Sequence, residues 1–172
     1  WTDVADMLGR PAVLSHPSIV VHNWRRLRPQ AGPLGVEDVH VGNLATLNTF
    51  GHGFDEDWFY LVTVDIEARA VPGIVAITEI IHILESDAQD LPADKLDEAV
   101  VAKLRTLNAS LEEMVVALKK MYSQCDPYIF YRRLRPYLAG WKNNATLPKG
   151  VVYEGVYDNV PQEFHGGSAA QS

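Results

Sequence analysis

Asp126-Pro-Tyr-Ile-Phe-Tyr-Arg-Arg-Leu-Arg-Pro-Tyr-Leu-Ala-Gly-Trp141 is the stretch on which the reading of this chain turns. Asp126 is a residue type that caps a helix N-terminus and Pro127 suits the first helical position, so a helix is predicted to begin there. Phe130, Leu134, Tyr137, Leu138 and Trp141 then fall at helical spacing on one apolar face. Tyr131 and Arg135 stand four apart, so an aromatic ring and a guanidinium share a stripe bordering that face. An arginine held beside rings is poorly solvated, and it is tolerated where a carboxylate or phosphate meets its planar fork in a bidentate pair. The alternative is that Arg132, Arg133 and Arg135 form a solvated basic edge with buried stems. Pro136 removes the bond its nitrogen would donate to the carbonyl of Arg132 and disfavours helical angles at Arg135. A kink or a helix end is therefore expected beside Arg135.

Upstream, Asp94 to Gln124 carries the clearest local pattern. Val100, Leu104, Leu107, Leu111, Met114, Leu118 and Met121 recur in alternating steps of four and three, which predicts a long amphipathic helix with a bundle or coiled-coil seam. Trp58 to Ala70 fits two periods at once. Val62, Val64, Ile66 and Ala68 alternate as in a half-buried strand, while Phe59, Val62, Thr63, Ile66 and Ala70 share a helical face. After a break at Pro72-Gly73, Ile74, Ile77, Ile81 and Leu84 are helical. Trp1 to Leu8 reads as the end of a helix closed by Gly9, Arg10 and Pro11. A short helix is expected across Ser18 to Arg26, and Arg25 to Glu37 reads as a linker. Beyond Trp141, Val151 to Tyr153 is an extended piece, and Glu163 to Ser172 taken alone looks like a flexible tail or an expression scar.

A length of 172 residues allows one sizeable core, or one domain plus a piece of another. An apolar content of 47% excludes a disordered chain. The net charge of -7 gives no electrostatic footprint for nucleic acid. One cysteine, Cys125, excludes a disulfide framework and favours a reducing, cytosolic setting, and no apolar run is long enough for a membrane span. The chain starts on Trp1 without a methionine, so a fragment is expected. Among the six histidines no pair stands four apart and none is near Cys125 in sequence, which argues against a structural zinc. There is no Gly-x-Ser-x-Gly elbow, and Gly166-Gly167-Ser168 lacks the lysine of a phosphate loop, although its backbone amides could hold a carboxylate or propionate. What remains is an apolar wall with aromatics, one arginine and a few hydroxyls. It suits a planar, carboxylate-bearing molecule better than acid-base or nucleophilic catalysis.

Four separated blocks carry a wider likeness: Pro11 to Trp24 ending in Val-x-x-Asn-Trp; Phe59-Tyr60-Leu61-Val62-Thr63 followed by Glu67; Phe130 to Lys142; and Val152-Tyr153-Glu154-Gly155 leading to Glu163-Phe164-x-Gly166-Gly167-Ser168-Ala169-x-Gln171-Ser172. In this order and spacing they resemble the indoleamine 2,3-dioxygenase family, the cytosolic haem enzymes that open the indole ring of tryptophan. The resemblance implies an all-α fold, with residues 1–44 the end of a small N-terminal domain and linker. Residues 45–172 would open the large helical haem domain, which favours helix over strand at Val62 to Ala70 and turns the apparent tail into a loop over the haem.

By the same resemblance Phe130 packs on the indole, Tyr131 takes the neighbouring aromatic position and Arg135 pairs with the substrate carboxylate. Thr63 holds a distal-pocket hydroxyl position, Phe59 is another pocket aromatic, and His16, Ile19 and Val20 line the inner pocket. Gly167, Ser168 and Ala169 lie beside haem and substrate. The implied cofactor is heme b, and the implied partners are L-tryptophan or other indoleamines and O2, with L-tryptophan giving N-formylkynurenine in the kynurenine pathway. No nucleic acid or membrane is implied, and the expected protein is monomeric and cytoplasmic. The family's proximal histidine follows the Gly-Gly-Ser-Ala loop, beyond Ser172, and none of the six histidines matches it. No catalytic or metal-binding residue is therefore carried over, and the fragment alone is expected to be inactive. Two alternatives stand beside this: a non-catalytic haem or tryptophan sensor of the same family, and a helical interaction module built on the Val100 to Met121 seam.

Overall fold

In the computed structural model, which describes residues 2–28, 35–51, 53–87 and 92–166, helices dominate. They are α1 (Thr2–Met7), α2 (Phe54–His82), α3 (Ala93–Lys119), α4 (Met121–Gln124), α5 (Pro127–Ile129) and α6 (Arg135–Leu138). Two three-residue strands, β1 (Trp24–Arg26) and β2 (Leu44–Thr46), pair with each other. The all-α expectation holds. The chain divides into two compact units, one of Trp1–Trp24, Thr46–Asp57 and Cys125–Ser172, the other of Arg25–Ala45 and Trp58–Gln124.

In the second unit the ambiguity at Trp58 to Ala70 resolves as helix. Tyr60, Leu61, Val62, Val64 and Asp65 are all buried, so this part of α2 is enclosed on nearly every side and either period finds apolar residues. The expected break at Pro72-Gly73 does not occur, because α2 runs straight through both residues. Gly73 is instead a point of close approach: a Cβ there would lie 2.8 Å from the Oγ of Ser110 and 3.2 Å from Leu107. Ser110 donates to the carbonyl of Arg69 at 2.6 Å, one turn ahead of the proline, where side-chain insertion into the helix ladder is a known accommodation. Asp65, fully buried, accepts from Lys120 Nζ at 2.7 Å and from Arg69 Nε at 3.2 Å. Trp58 Nε1 donates to the carbonyl of Lys120 at 2.8 Å, which ties the end of α3 to α2.

The long helix ends earlier than predicted, at Lys119, and α4 follows after one irregular residue. Its inner face is also narrower than the seven-residue seam: Ser110 and Ala117 are buried, Leu107 and Met114 are half-buried, and Leu104, Leu111 and Leu118 are exposed.

In the first unit α1 closes on Gly9 at φ 64°, as the sequence suggests. The helix expected across Ser18 to Arg26 is replaced by a π-helical turn, Pro17–Val21, followed by β1. The cause lies at Asn23, whose side chain donates to Asn48 O at 2.8 Å and accepts from Asn48 N at 2.9 Å, while Asn23 O accepts from Leu47 N at 2.9 Å. Those bonds draw the backbone into extended pairing and outweigh a weak helical pattern. Glu163 to Gly166 is not a free tail. Phe164 O accepts from the backbone nitrogens of Trp141 at 2.8 Å and Lys142 at 3.1 Å, and Val151 pairs with Gln162 in both directions.

Candidate functional site

The Asp126 cap forms as predicted, its carboxylate accepting from Tyr128 N at 2.7 Å and Ile129 N at 3.2 Å. Past α5 the helix widens into a π-helical turn, Phe130–Leu134, before continuing as α6. Arg135 N donates to Phe130 O, five residues back, and Arg135 keeps helical angles of φ -52° and ψ -39°. Pro136 therefore does not push Arg135 out of the helix, contrary to the sequence expectation. The wider turn makes room for a ring that an α-turn would press against the carbonyl of Arg132. Nothing local in the sequence except Pro136 signals it.

The π-helical turn sets what this stretch presents. Leu134 is fully buried and Leu138 nearly so, and Phe130 is half-buried. Tyr137 is half exposed and stacks on Phe50, ring centroids 5.2 Å apart. Tyr131 is exposed with two guanidiniums over its ring, Arg135 Cζ at 5.0 Å and Arg132 Cζ at 5.5 Å from the centroid. The predicted ring and guanidinium stripe is present. Arg135 is itself exposed and makes no ion pair among the described residues, so its fork is open to an incoming carboxylate while the ring limits its freedom.

His16, Ile19 and Val20 are buried in the same unit, at and within the first π-helical turn. Phe59 and Thr63 belong to the other unit. Phe59 meets Tyr60 edge-on at 5.9 Å, and Thr63 Oγ1 donates to Phe59 O at 2.9 Å, back along its own helix. Gly167, Ser168 and Ala169 lie outside the described residues. Gly166, the last described residue before them, donates its nitrogen to Ala139 O at 3.2 Å. A Cβ on Gly140, at φ 70°, would fall 2.2 Å from Gly166 N, so two glycines let these backbones touch.

The sequence reading did not single out Phe50 or Tyr153. Tyr153 accepts from Trp141 Nε1 at 3.0 Å and donates to Ala12 O at 2.8 Å, and both residues, with Trp141, line a cavity of 1170 Å³ in the first unit. The available signal was that Tyr153 sits inside one of the four blocks.

Cys125, buried just ahead of the capped helix, has its thiol pushed above the ordinary value, first by burial and then by the carboxylates of Asp55 and Asp126. That disfavours the thiolate, the reactive form of the side chain. Among the described residues no group of three or more histidine, cysteine or carboxylate side chains is placed to hold a metal ion. No helix among the described residues is long and apolar enough to cross a membrane.

The family model described as indoleamine 2,3-dioxygenase matches residues 1–172. The chain is 37% identical over 172 residues to indoleamine 2,3-dioxygenase 2 of Mus musculus, covering 100% of this chain and 39% of that protein. It is equally similar, 37% over 172 residues with the same coverage, to indoleamine 2,3-dioxygenase 1 of Rattus norvegicus. With indoleamine 2,3-dioxygenase of Saccharomyces cerevisiae it shares 35% over 178 residues, 99% of this chain and 36% of that protein. The chain spans well under half the length of these curated relatives. With a family model matched along its whole length and mammalian and yeast relatives aligned over nearly all of it, the chain belongs to the indoleamine 2,3-dioxygenase family.

Proposed function

We propose that the complete protein is a haem-dependent dioxygenase that opens the indole ring of L-tryptophan with O2 to give N-formylkynurenine, the first step of the kynurenine pathway. The observation that carries this reading is Arg135, unpaired among the described residues and held over the Tyr131 ring, in a chain matched by the family along its whole length. An arginine so placed can fix an amino acid by its carboxylate, and orientation is most of what a protein contributes when a cofactor carries the oxygen chemistry.

In this reading Phe130 and Tyr131 pack on the indole, Phe59, Thr63, His16, Ile19 and Val20 shape the pocket, and Gly167, Ser168 and Ala169 flank haem and substrate. Heme b belongs to the complete protein, and no residue of this chain is assigned to its iron. Residues 1–44 close a small N-terminal domain and 45–172 open the large one. The protein is monomeric and cytoplasmic, has no nucleic-acid or membrane partner, and is inactive as the present piece alone.

The test is to supply the complete protein with haem, a reductant, O2 and L-tryptophan and to follow N-formylkynurenine. Steady turnover is expected. Tryptophan binding with no product would favour the sensor alternative, and neither binding nor product would reject the reading.

A further inference from the structure

We infer that the cavity in the first unit binds an anionic amphiphile, a molecule with an apolar body and one carboxylate. Its volume of 1170 Å³ lies just above the usual range for small-molecule pockets, about 300 to 1,000 Å³. Leu8, Val13, Phe50 and Trp141 are among the side chains that make most of its lining apolar. The charges in it are all of one sign: Arg10, Arg132 and Arg133 line it, and no aspartate or glutamate does. In a chain of net charge -7, that lining is opposite to the average surface.

None of the three arginines makes an ion pair among the described residues. Guanidiniums sharing one opening repel one another, and an anion placed among them relieves that repulsion and accepts charge-assisted hydrogen bonds. Arg132 is partly engaged by the Tyr131 ring at 5.5 Å, so Arg10 and Arg133 are the freer arms. The Tyr153 hydroxyl is already occupied by Trp141 and Ala12 and serves as wall. The apolar lining disfavours an inorganic anion, and the cationic lining disfavours neutral or amine-bearing lipids. Arg135 does not line this cavity, so the inference does not rest on its role.

Titrating the chain calorimetrically with decanoate, decanol and decyltrimethylammonium separates charge from apolar length. Decanoate is expected to bind one per chain, about tenfold or more tightly than decanol, with no binding of the cation. Arg10→Gln with Arg133→Gln, both at exposed positions, should bring decanoate down to the affinity of decanol with unchanged circular dichroism. ω-Bromodecanoate should quench indole emission, and Trp141→Phe should abolish that quench. Equal binding of decanoate and decanol, a double variant that keeps its preference for decanoate, or a quench that survives Trp141→Phe would each overturn the inference.

Discussion

Arg135 sits on the surface with its guanidinium 5.0 Å from the centre of the Tyr131 ring, and the fold does not lean on it. Lysine at this position keeps the charge and loses the planar fork. In the complete enzyme Arg135→Lys is expected to raise KM for tryptophan about tenfold or more while the urea midpoint of the protein stays put, and matching KM values would remove the residue from substrate binding. Cys125 makes a second prediction. Its thiol binds its proton more tightly folded than unfolded, so stability is fully present below the ordinary thiol value of 9.0 and falls as pH climbs through the raised folded value. Urea unfolding at rising alkaline pH should show that decline, Cys125→Ser should flatten it, and iodoacetamide should label the native chain more slowly than the unfolded one. The ring and guanidinium pair was legible because a spacing of four survives in any helical turn. The effect of Pro136 was not, because whether a proline breaks a helix or is absorbed by a wider turn depends on the room around it, which no local pattern records.

Helices α2 and α3 show the same limit. The period of α2 was unreadable where Tyr60 to Asp65 are enclosed all round, since amphipathic contrast requires a wet side. The seam of α3 was readable as helix, but only part of it packs inward within the chain. Close approach at Gly73 brings Ser110 and Leu107 against α2, Ala117 is also buried, and Leu104, Leu111 and Leu118 stay exposed. Two lysine substitutions separate these faces. Leu107→Lys, placed against Gly73, is expected to cost about 2 to 4 kcal/mol in chemical denaturation. Leu111→Lys, on the exposed side, should stay within about 0.5 kcal/mol. Equal costs would mean that the helix is rotated from its described position.

The first unit is assembled from three stretches of chain, and its bonds span distances that periodicity cannot reach: Tyr153 and Ala12 are 141 residues apart in sequence. That is why the N-terminal segment read as a helix end, Val151 to Tyr153 as an extended piece and Glu163 to Ser172 as a tail. The four blocks of the family likeness did connect them, since a shared ancestry preserves contacts that local physics does not reveal. Tyr153→Phe removes both the bond to Ala12 O and the acceptor of Trp141 Nε1. Amide exchange should then quicken around residues 2–13 and leave the core of α2 and α3 protected. Uniform quickening in both units would show that they unfold together.

A discontinuous unit also sets an order of birth. On the ribosome, at about 5 to 20 residues per second, Ala12 emerges roughly 7 to 28 seconds before Tyr153 exists to meet it. The contiguous stretch from Trp58 to Gln124 can close its helical pair within that interval. The segment around Ala12, with Val13 and Leu14 still lacking the partners that come after residue 124, is meanwhile a natural client for a chaperone on the nascent chain.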